Sequence, residues 1–385
     1  MEQFDLAAEW VHVKYAESAQ FTEVYGFSGT QGVVNCEGLC YLPKGRPSKT
    51  LAVYMHPSST LQLRPMPPAM ARAGVHVLCA GSRFAKNDTP LIMEKVALDL
   101  GAYIRHAKEV WGYEKILLCG WSGGGSLSLF YQAQAEKPSV TRTPAGDAVD
   151  LKGLIAADAM IFQAAHLSRA RMLSEWIDPS VTDEADPDRR DLELDIYNPQ
   201  CPNQPPYCAD FIAAFRKAQL ARMRRRTAWV RETLQRLKGD EMERGFVTYR
   251  TMADLRFMDA AIDPNDRQPR WCYLGKPETA NTGPVGIGRF STLRAWLSQW
   301  SLDDSNADGP RCAASITVPL LAIENSADDA VPQPHARMIH DAAASRDKTF
   351  HVIKGATHYY QGQPELLQQA VSTCVGWMAR QKLID

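Results

Sequence analysis

The chain of 385 residues contains no apolar run near the roughly 20 residues that a membrane span needs. It also lacks an excess of charge of either sign. Its 43 Lys and Arg against 44 Asp and Glu leave a formal net charge of −1. That removes the electrostatic case for binding nucleic acid or an anionic membrane surface. The opening residues, Met1-Glu2-Gln3-Phe4-Asp5, show neither the basic nor the apolar region of a secretory signal, so a cytoplasmic location is expected. Internal repeats are absent, and the nine cysteines do not have the spacing of a zinc site. An odd number cannot pair completely within one chain. Cys79 and Cys119 sit inside apolar, strand-like runs, so reduced and mostly buried thiols are expected. Cys201 and Cys208 flank a Pro-rich turn and could pair, but reduced thiols are the expectation for them too. What remains is ordinary globular material, 45% hydrophobic and 23% charged. It is long enough for one large α/β domain with an insertion, or for two domains.

Read along its length, the chain opens with a β-rich segment, of which Val33 to Leu42 is one strand. Apolar runs at Leu51–Met55, Val75–Ala80, Ile116–Cys119 and Gly153–Ala157 predict further buried strands. Helical stretches at Met66–Ala73 and Leu91–Trp111 fall between them. This alternation predicts a mostly parallel sheet with helices on both faces. From about Met160 to Gly309 the alternation stops. Helical segments dominate there (Gln163–Ile177, Ala209–Leu237, Met252–Ala261, Ile287–Trp300), with almost no convincing strand. The stretch Glu175–Asp195 is largely acidic, while Arg222, Arg224, Arg225, Arg226, Arg231 and Arg236 lie on one helix. With balanced total charge, that basic helix reads as a solvated face or as a partner of the acidic stretch, not as an RNA site. The α/β pattern then resumes with strands at Val318–Ile323 and Phe350–Lys354 and helices at Pro334–Ala344 and Pro364–Leu383. The organisation expected is therefore a core of residues 1–159 and 310–385 interrupted by a mainly helical insertion, 160–309.

The most informative run is Gly120-Trp121-Ser122-Gly123-Gly124, a G-x-S-x-G pattern between an apolar strand and a helix. A Gly/Ser-rich turn can simply join two elements. In this context, though, the sharp turn projects the Ser122 hydroxyl, and the flanking glycines lack Cβ atoms that would collide with neighbouring backbone. A serine hydroxyl needs a base to take its proton and an acid to orient that base. Both belong at the carboxyl ends of strands, where an open α/β sheet forms its crevice. Glu324-Asn325-Ser326-Ala327-Asp328-Asp329 follows one late strand, and Gly355-Ala356-Thr357-His358 follows the last. His56 lies in the loop after Met55, His335 and His340 on a helix, and His351 within a strand. His358 alone has the right edge position, which gives the chain order Ser, Asp, His.

On these residues the sequence resembles the α/β-hydrolase superfamily over roughly residues 30–160 and 310–385. The resemblance implies a catalytic triad of Ser122, Asp328 and His358. Family members often carry Gly-x-x-Asp followed four residues later by Pro. Asp328 and Pro332 fit that spacing, with Asn325 standing where Gly is usual. Asp329 is the neighbouring alternative. Asp158, at the position where some relatives carry the acid, and Glu324 are further ones. The resemblance also implies an oxyanion hole of two backbone N–H groups. One belongs to Gly123. The other comes from the loop where relatives read His-Gly-x and this chain reads His56-Pro57-Ser58, which makes Ser58 the donor ahead of Ser59.

In that family an insertion after the sixth strand caps the nucleophile. This one carries Trp176, Trp229, Trp271, Trp296 and Trp300 with Tyr207, Tyr249 and Tyr273, most of them fit to fill the insertion's own core and some to line a pocket. Arg83 and Asn87, after the fourth strand, suit turn and capping roles, with the pocket mouth in reach. The function expected is a serine hydrolase that cleaves a carboxylic ester or lactone of a bulky hydrophobic or aromatic small molecule through an acyl-enzyme. No metal and no organic cofactor is implied. The alternatives are a C–C bond (diketone) hydrolase with the same triad, amide or thioester cleavage, acyl transfer, and a non-catalytic member that binds a small ligand. The insertion also offers a surface for a homo-oligomer.

Overall fold

The computed structural model describes residues 2–17, 32–238 and 241–384. Its strands are β1 (Leu6–Ala16), β2 (Val33–Pro43), β3 (Thr50–Met55), β4 (His76–Ala80), β5 (Lys115–Ser122), β6 (Ala159–Ala165), β7 (Gly245–Val247), β8 (Phe290–Thr292), β9 (Leu320–Asn325) and β10 (Lys348–Ile353). Among the described residues, eight of these form one sheet in the order β1-β2-β4-β3-β5-β6-β9-β10. β2 runs antiparallel to both of its neighbours, and every other pairing is parallel. That strand order with one reversed strand is the α/β-hydrolase fold, and the chain has it.

The central strands are apolar along their whole length because both faces are covered. All six residues of β3 and all seven of β6 are buried. One face packs against α2 (Met93–Glu109) and α3 (Gly123–Glu136), with Leu100, Tyr103, Leu127 and Phe130 in the core. The other packs against α1 (Met66–Arg72) and the closing helix, through Met70, Val371, Cys374 and Trp377. At the edge, β1 alternates instead: Val11 and Val13 are buried, while Trp10 and His12 face outward.

β6 begins at Ala159, beyond the predicted strand at 153–157. Ala157 N–H donates to the Gln132 side chain at 2.9 Å, and Gln132 also binds the Ala157 carbonyl, so this run leads up to the sheet and lies outside it. The insertion thus leaves the sheet after residue 165, and the expected helix at 163–177 shortens to α4 (Arg169–Trp176). The rest of the insertion holds α5 (Ala209–Arg236), α6 (Leu255–Met258), α7 (Pro277–Thr282) and α8 (Leu293–Ala295), the last running into a π turn, Trp296–Trp300. It also contains the β7–β8 ribbon, where almost no strand was expected. Trp296 and Trp300 are fully buried against Leu173, Met223 and Val230, a core belonging to the insertion itself. The core resumes with α9 (Gly309–Ala313), α10 (Pro334–Ala342) and α11 (Pro364–Arg380).

The basic helix α5 is matched by acids. Arg222 binds Glu184, Arg224 binds Asp303, and Arg231 binds Asp304. All nine cysteines are free, including Cys201 and Cys208, and eight are buried. Among the described residues, no helix is long and apolar enough to cross a membrane.

Candidate active site

Strand β5 pairs in regular register with β6 as far as Trp121, then breaks before Ser122. Ser122 adopts φ 52°, ψ −125°, a region that costs an L-residue about 1–3 kcal/mol and persists only where neighbours impose it. Here the His166 N–H holds the Ser122 carbonyl at 3.2 Å, and the Ser126 hydroxyl holds that of Gly123 at 3.0 Å. The glycines are steric requirements. A Cβ on Gly124 would stand 2.4 Å from the Met55 carbonyl oxygen, and one on Gly125 would stand 2.6 Å from Ala165 Cβ. Only without side chains can α3 start flush against the ends of β3 and β6.

The candidate acid and base, Asp328 and His358, arrive on the loops after β9 and β10. His358 Nδ1 lies 3.0 Å from both Asp328 carboxylate oxygens, with both residues buried. Asp328 Oδ1 also accepts the backbone N–H groups of Ala330 (2.8 Å) and Val331 (2.7 Å), which fix the rotation of the carboxylate. Asn325 has a structural task that a glycine could not perform. Its Oδ1 accepts the Tyr360 hydroxyl at 2.9 Å and its Nδ2 donates to the Thr357 carbonyl at 3.0 Å, which ties the acid loop to the histidine loop. Asp329 does not reach the imidazole. One of its oxygens is buried without a partner, and burial with the adjacent Asp328 charge raises its carboxyl above the ordinary range. The Ser122 hydroxyl makes no hydrogen bond among the described residues. The Asp328–His358 contact is therefore closed, and no hydrogen bond joins Ser122 to His358 among the described residues.

The loop after β3 is arranged around a side chain. His56 is buried, and its Nδ1 accepts the N–H groups of Ser58 (3.1 Å) and Ser59 (2.9 Å). The expected oxyanion donor, the Ser58 amide, is thus already engaged, because the ring folds back over its own loop. The Gly123 amide stands at the first turn of α3, where helix N–H groups lack intrahelical acceptors.

Around the base the walls are aromatic. The Trp121 ring lies 4.5 Å from that of His358, and Tyr359 lies 5.4 Å from Trp121. The Arg64 guanidinium rests over Tyr359 at 4.8 Å and over Trp121 at 5.8 Å. Arg64, Trp121, His358 and Tyr359 share a small cavity with Tyr54, Leu61 and Met66. On the insertion side, buried Arg169 pairs with Asp88 and lies over Trp300 at 4.3 Å. Tyr273 is anchored by its N–H to the Asp329 carbonyl at 2.9 Å. Burial, with the Arg169 and Arg64 charges, holds the His56 imidazole well below its ordinary value. Burial and the nearby His335 do the same for His166.

The other candidates lie elsewhere. Asp158 sits at the opposite edge of the sheet, where it accepts the Ile116 N–H at 2.8 Å and pairs with Lys108. Glu324 makes no hydrogen bond to His358 among the described residues. Arg83 is locked into a buried cluster with Asp99, Glu17 and Tyr15, and Asn87 caps a turn through the Thr89 N–H. Sequence reasoning missed Arg64, Arg169 and the His56 ring. Of these only His56 left a trace, as the histidine directly ahead of the expected donor loop.

No protein-family model and no curated protein matches the sequence. Solved structures resemble the chain at low identity. The esterase domain of a Rhodothermus marinus protein is 12% identical, with a TM-score of 0.48 over 97% of this chain and 98% of that one. Est1E from Butyrivibrio proteoclasticus is 12% identical, with a TM-score of 0.48 over 96% and 99%. A bacterial brefeldin A esterase is 13% identical, with a TM-score of 0.47 over 98% and 78%.

Proposed function

We propose that the chain is a serine hydrolase that cleaves a carboxylic ester or lactone of a bulky hydrophobic or aromatic small molecule through an acyl-enzyme. The observation that carries this reading is the buried Asp328–His358 pair, delivered by two strand ends to the edge where a third presents Ser122 in a strained turn. A binding module gains nothing from a carboxylate held against an imidazole beside a strained serine. In the proposed cycle Ser122 Oγ attacks the carbonyl carbon while His358 Nε2 takes its proton, and the carbonyl π pair moves onto oxygen. Collapse of that adduct expels the alcohol, which leaves with the proton from His358. Water, deprotonated by the same imidazole, then attacks the acyl-enzyme and frees the acid and the serine. Asp328 keeps the proton of the neutral ring on Nδ1, so that Nε2 is the basic nitrogen. Trp121, Tyr359, Leu61 and Met66 beside His358 favour an apolar or aromatic group. Residues 160–309 act as a cap in this reading, and the free thiols suit a cytoplasmic enzyme.

The test is labelling with a fluorophosphonate probe together with turnover of p-nitrophenyl butyrate. The folded protein should be labelled at Ser122 and should turn over the ester, and Ser122→Ala should lose both. Unlabelled, inactive folded protein would favour a binding role. Labelling with slow ester turnover but rapid cleavage of a vinylogous diketone would move the reading to C–C hydrolysis.

A further inference from the structure

Every acyl transfer through an oxyanion needs donors aimed at the developing charge, and removing one typically costs about 10²–10³ in kcat. The Gly123 amide is one donor here. The second is not free in the loop after β3, because Pro57 has no N–H and the amides of Ser58 and Ser59 both point at His56 Nδ1. Those two bonds settle the state of the ring. A nitrogen that accepts two N–H groups carries no proton, and the two donors also fix which side of the ring is Nδ1. A neutral imidazole must then carry its proton on Nε2. Burial and two nearby arginine charges keep it neutral.

The position of that N–H is given by its neighbour. His56 Nε2 stands 2.4 Å from where a Cβ on Gly123 would be. A Cβ lies about 2.5 Å from its own backbone nitrogen, so His56 Nε2 and the Gly123 nitrogen are no more than about 5 Å apart. Two donors that share one oxygen, each about 2.9 Å away, have at most about 6 Å between them. Among the described residues Nε2 has no hydrogen-bond partner, and it is not sealed off as His166 Nδ1 is. The same contact explains why residue 123 is glycine, since any side chain would displace the ring.

We infer that His56, through its Nε2–H, is the second oxyanion donor and a catalytic residue, in the role first expected of the Ser58 amide. This rests on the serine-hydrolase reading above. The substrate carbonyl oxygen would lie between His56 Nε2 and Gly123 N. No proton is transferred in this role: the N–H donates a hydrogen bond that strengthens as charge builds on oxygen and relaxes on collapse.

Two substitutions separate this role from loop support. In His56→Asn the side-chain oxygen can take the place of Nδ1 and keep the Ser58 and Ser59 bonds, but the distal donor is lost. In His56→Gln the side-chain amide reaches the Nε2 position, and the loop acceptor is lost. With p-nitrophenyl butyrate, His56→Asn should keep its melting temperature within about 2 °C and lose about 10²–10³ in kcat with KM little changed. Its affinity for an alkyl trifluoromethyl ketone should fall by a similar factor, and His56→Gln should turn over faster than His56→Asn. A His56→Asn enzyme within about threefold of the wild-type kcat would overturn the assignment, as would His56→Gln proving the slower of the two. Should the variants not fold, a crystal structure of the wild-type ketone adduct decides. The expected hemiketal oxygen lies 2.7–3.1 Å from both His56 Nε2 and Gly123 N, and an oxygen bound by the Ser58 amide refutes the proposal. Fluorophosphonate labelling of wild-type Ser122 is run beside these. Its absence would sink the hydrolase reading itself, whereas labelled wild type with indifferent His56 variants would sink only this inference.

Discussion

Replacing Asp328 by asparagine should abolish turnover while leaving the fold intact, and the structure says which way the new amide must point. Asp328 Oδ1 accepts two backbone N–H groups, from Ala330 and Val331, at 2.8 and 2.7 Å. Only the oxygen of an asparagine can serve there, so its NH₂ is forced into the place of Oδ2, 3.0 Å from His358 Nδ1. An N–H aimed at Nδ1 selects the ring tautomer protonated on Nε2, and that nitrogen can no longer accept the serine proton. Where the same inversion has been imposed on a serine triad, kcat fell by about 10⁴, which is about 5.5 kcal/mol of transition-state stabilisation. The comparison variant is Asp328→Ala, which strands the two N–H groups at about 1–3 kcal/mol each. For 385 residues the unfolding entropy is about 0.8 kcal/mol per kelvin, so alanine should lower the melting temperature by roughly 2–7 °C and asparagine by much less. The assays are p-nitrophenyl butyrate turnover and thermal melting of both variants beside Asp329→Asn. More than a tenth of wild-type kcat in Asp328→Asn would refute the argument. So would an equal loss in Asp329→Asn, which is expected to stay near wild type because Asp329 does not touch the imidazole.

Gly124→Ala would press a methyl group against the Met55 carbonyl, a backbone atom with no means of swinging away. A loss of about 1–3 kcal/mol and a sharp fall in turnover are expected, and wild-type melting would contradict the packing argument. Arg222 is fully buried in the insertion, where it binds Glu184 and the carbonyls of Asp178, Tyr249 and Arg250. Arg222→Met leaves those acceptors uncompensated, at about 3–5 kcal/mol, and limited proteolysis should then cut first within residues 160–309. His166 is held neutral when folded, its value lowered by burial and then by His335, whereas an unfolded histidine titrates near 6.5. As pH falls below about 6.5 the unfolded chain takes up a proton that the native one refuses, so stability drops by up to about 1.4 kcal/mol per pH unit for this residue. Removing the group in His166→Gln should flatten the fall of melting temperature between pH 6.5 and 5. The carboxylates with raised values, such as Glu94 and Glu243, act with the opposite sign, but they are common to both proteins and cancel in the difference. Parallel curves would show that His166 does not resist protonation.

The elbow was legible because steric exclusion writes directly into sequence. Where a helix must start against two strand ends, residues 124 and 125 have to be glycine, and a pattern of glycines around a serine survives without any tertiary knowledge. The positions of Asp328 and His358 beyond strand ends were legible because strand ends are marked by the close of apolar runs. β6 was misplaced because two apolar segments, 153–157 and 159–165, follow each other closely, and periodicity cannot tell a buried strand from a buried approach to it. The alternation of β1, with Val11 and Val13 inward, went unremarked within the β-rich opening. The direction of the Ser58 amide could not be read at all. It depends on a ring folding back onto its own loop, a tertiary fact that no local preference encodes. The insertion was similarly opaque: β7 and β8 are three-residue strands from distant segments, and neither has a signal of its own.

The charges around the elbow follow one logic. Arg64 has no carboxylate partner among the described residues and is held instead by the faces of Trp121 and Tyr359, while Arg169 is matched by Asp88. Their fields, with burial as the larger cause, keep His56 neutral. Burial and His335 keep His166 neutral, with Arg169 adding to the effect. A protonated ring beside Gly123 would attract a carboxylate product and hold it. Under the proposed assignment, a neutral one would present a fixed dipole that favours negative charge on the carbonyl oxygen as it forms and gives it up on collapse. In the proposed mechanism the positive charge around the site sits on Arg64 and Arg169, and His56 contributes only an oriented N–H. Proton transfer is left, in the same proposed mechanism, to His358, whose Nδ1 lies within hydrogen-bond distance of the buried Asp328 carboxylate.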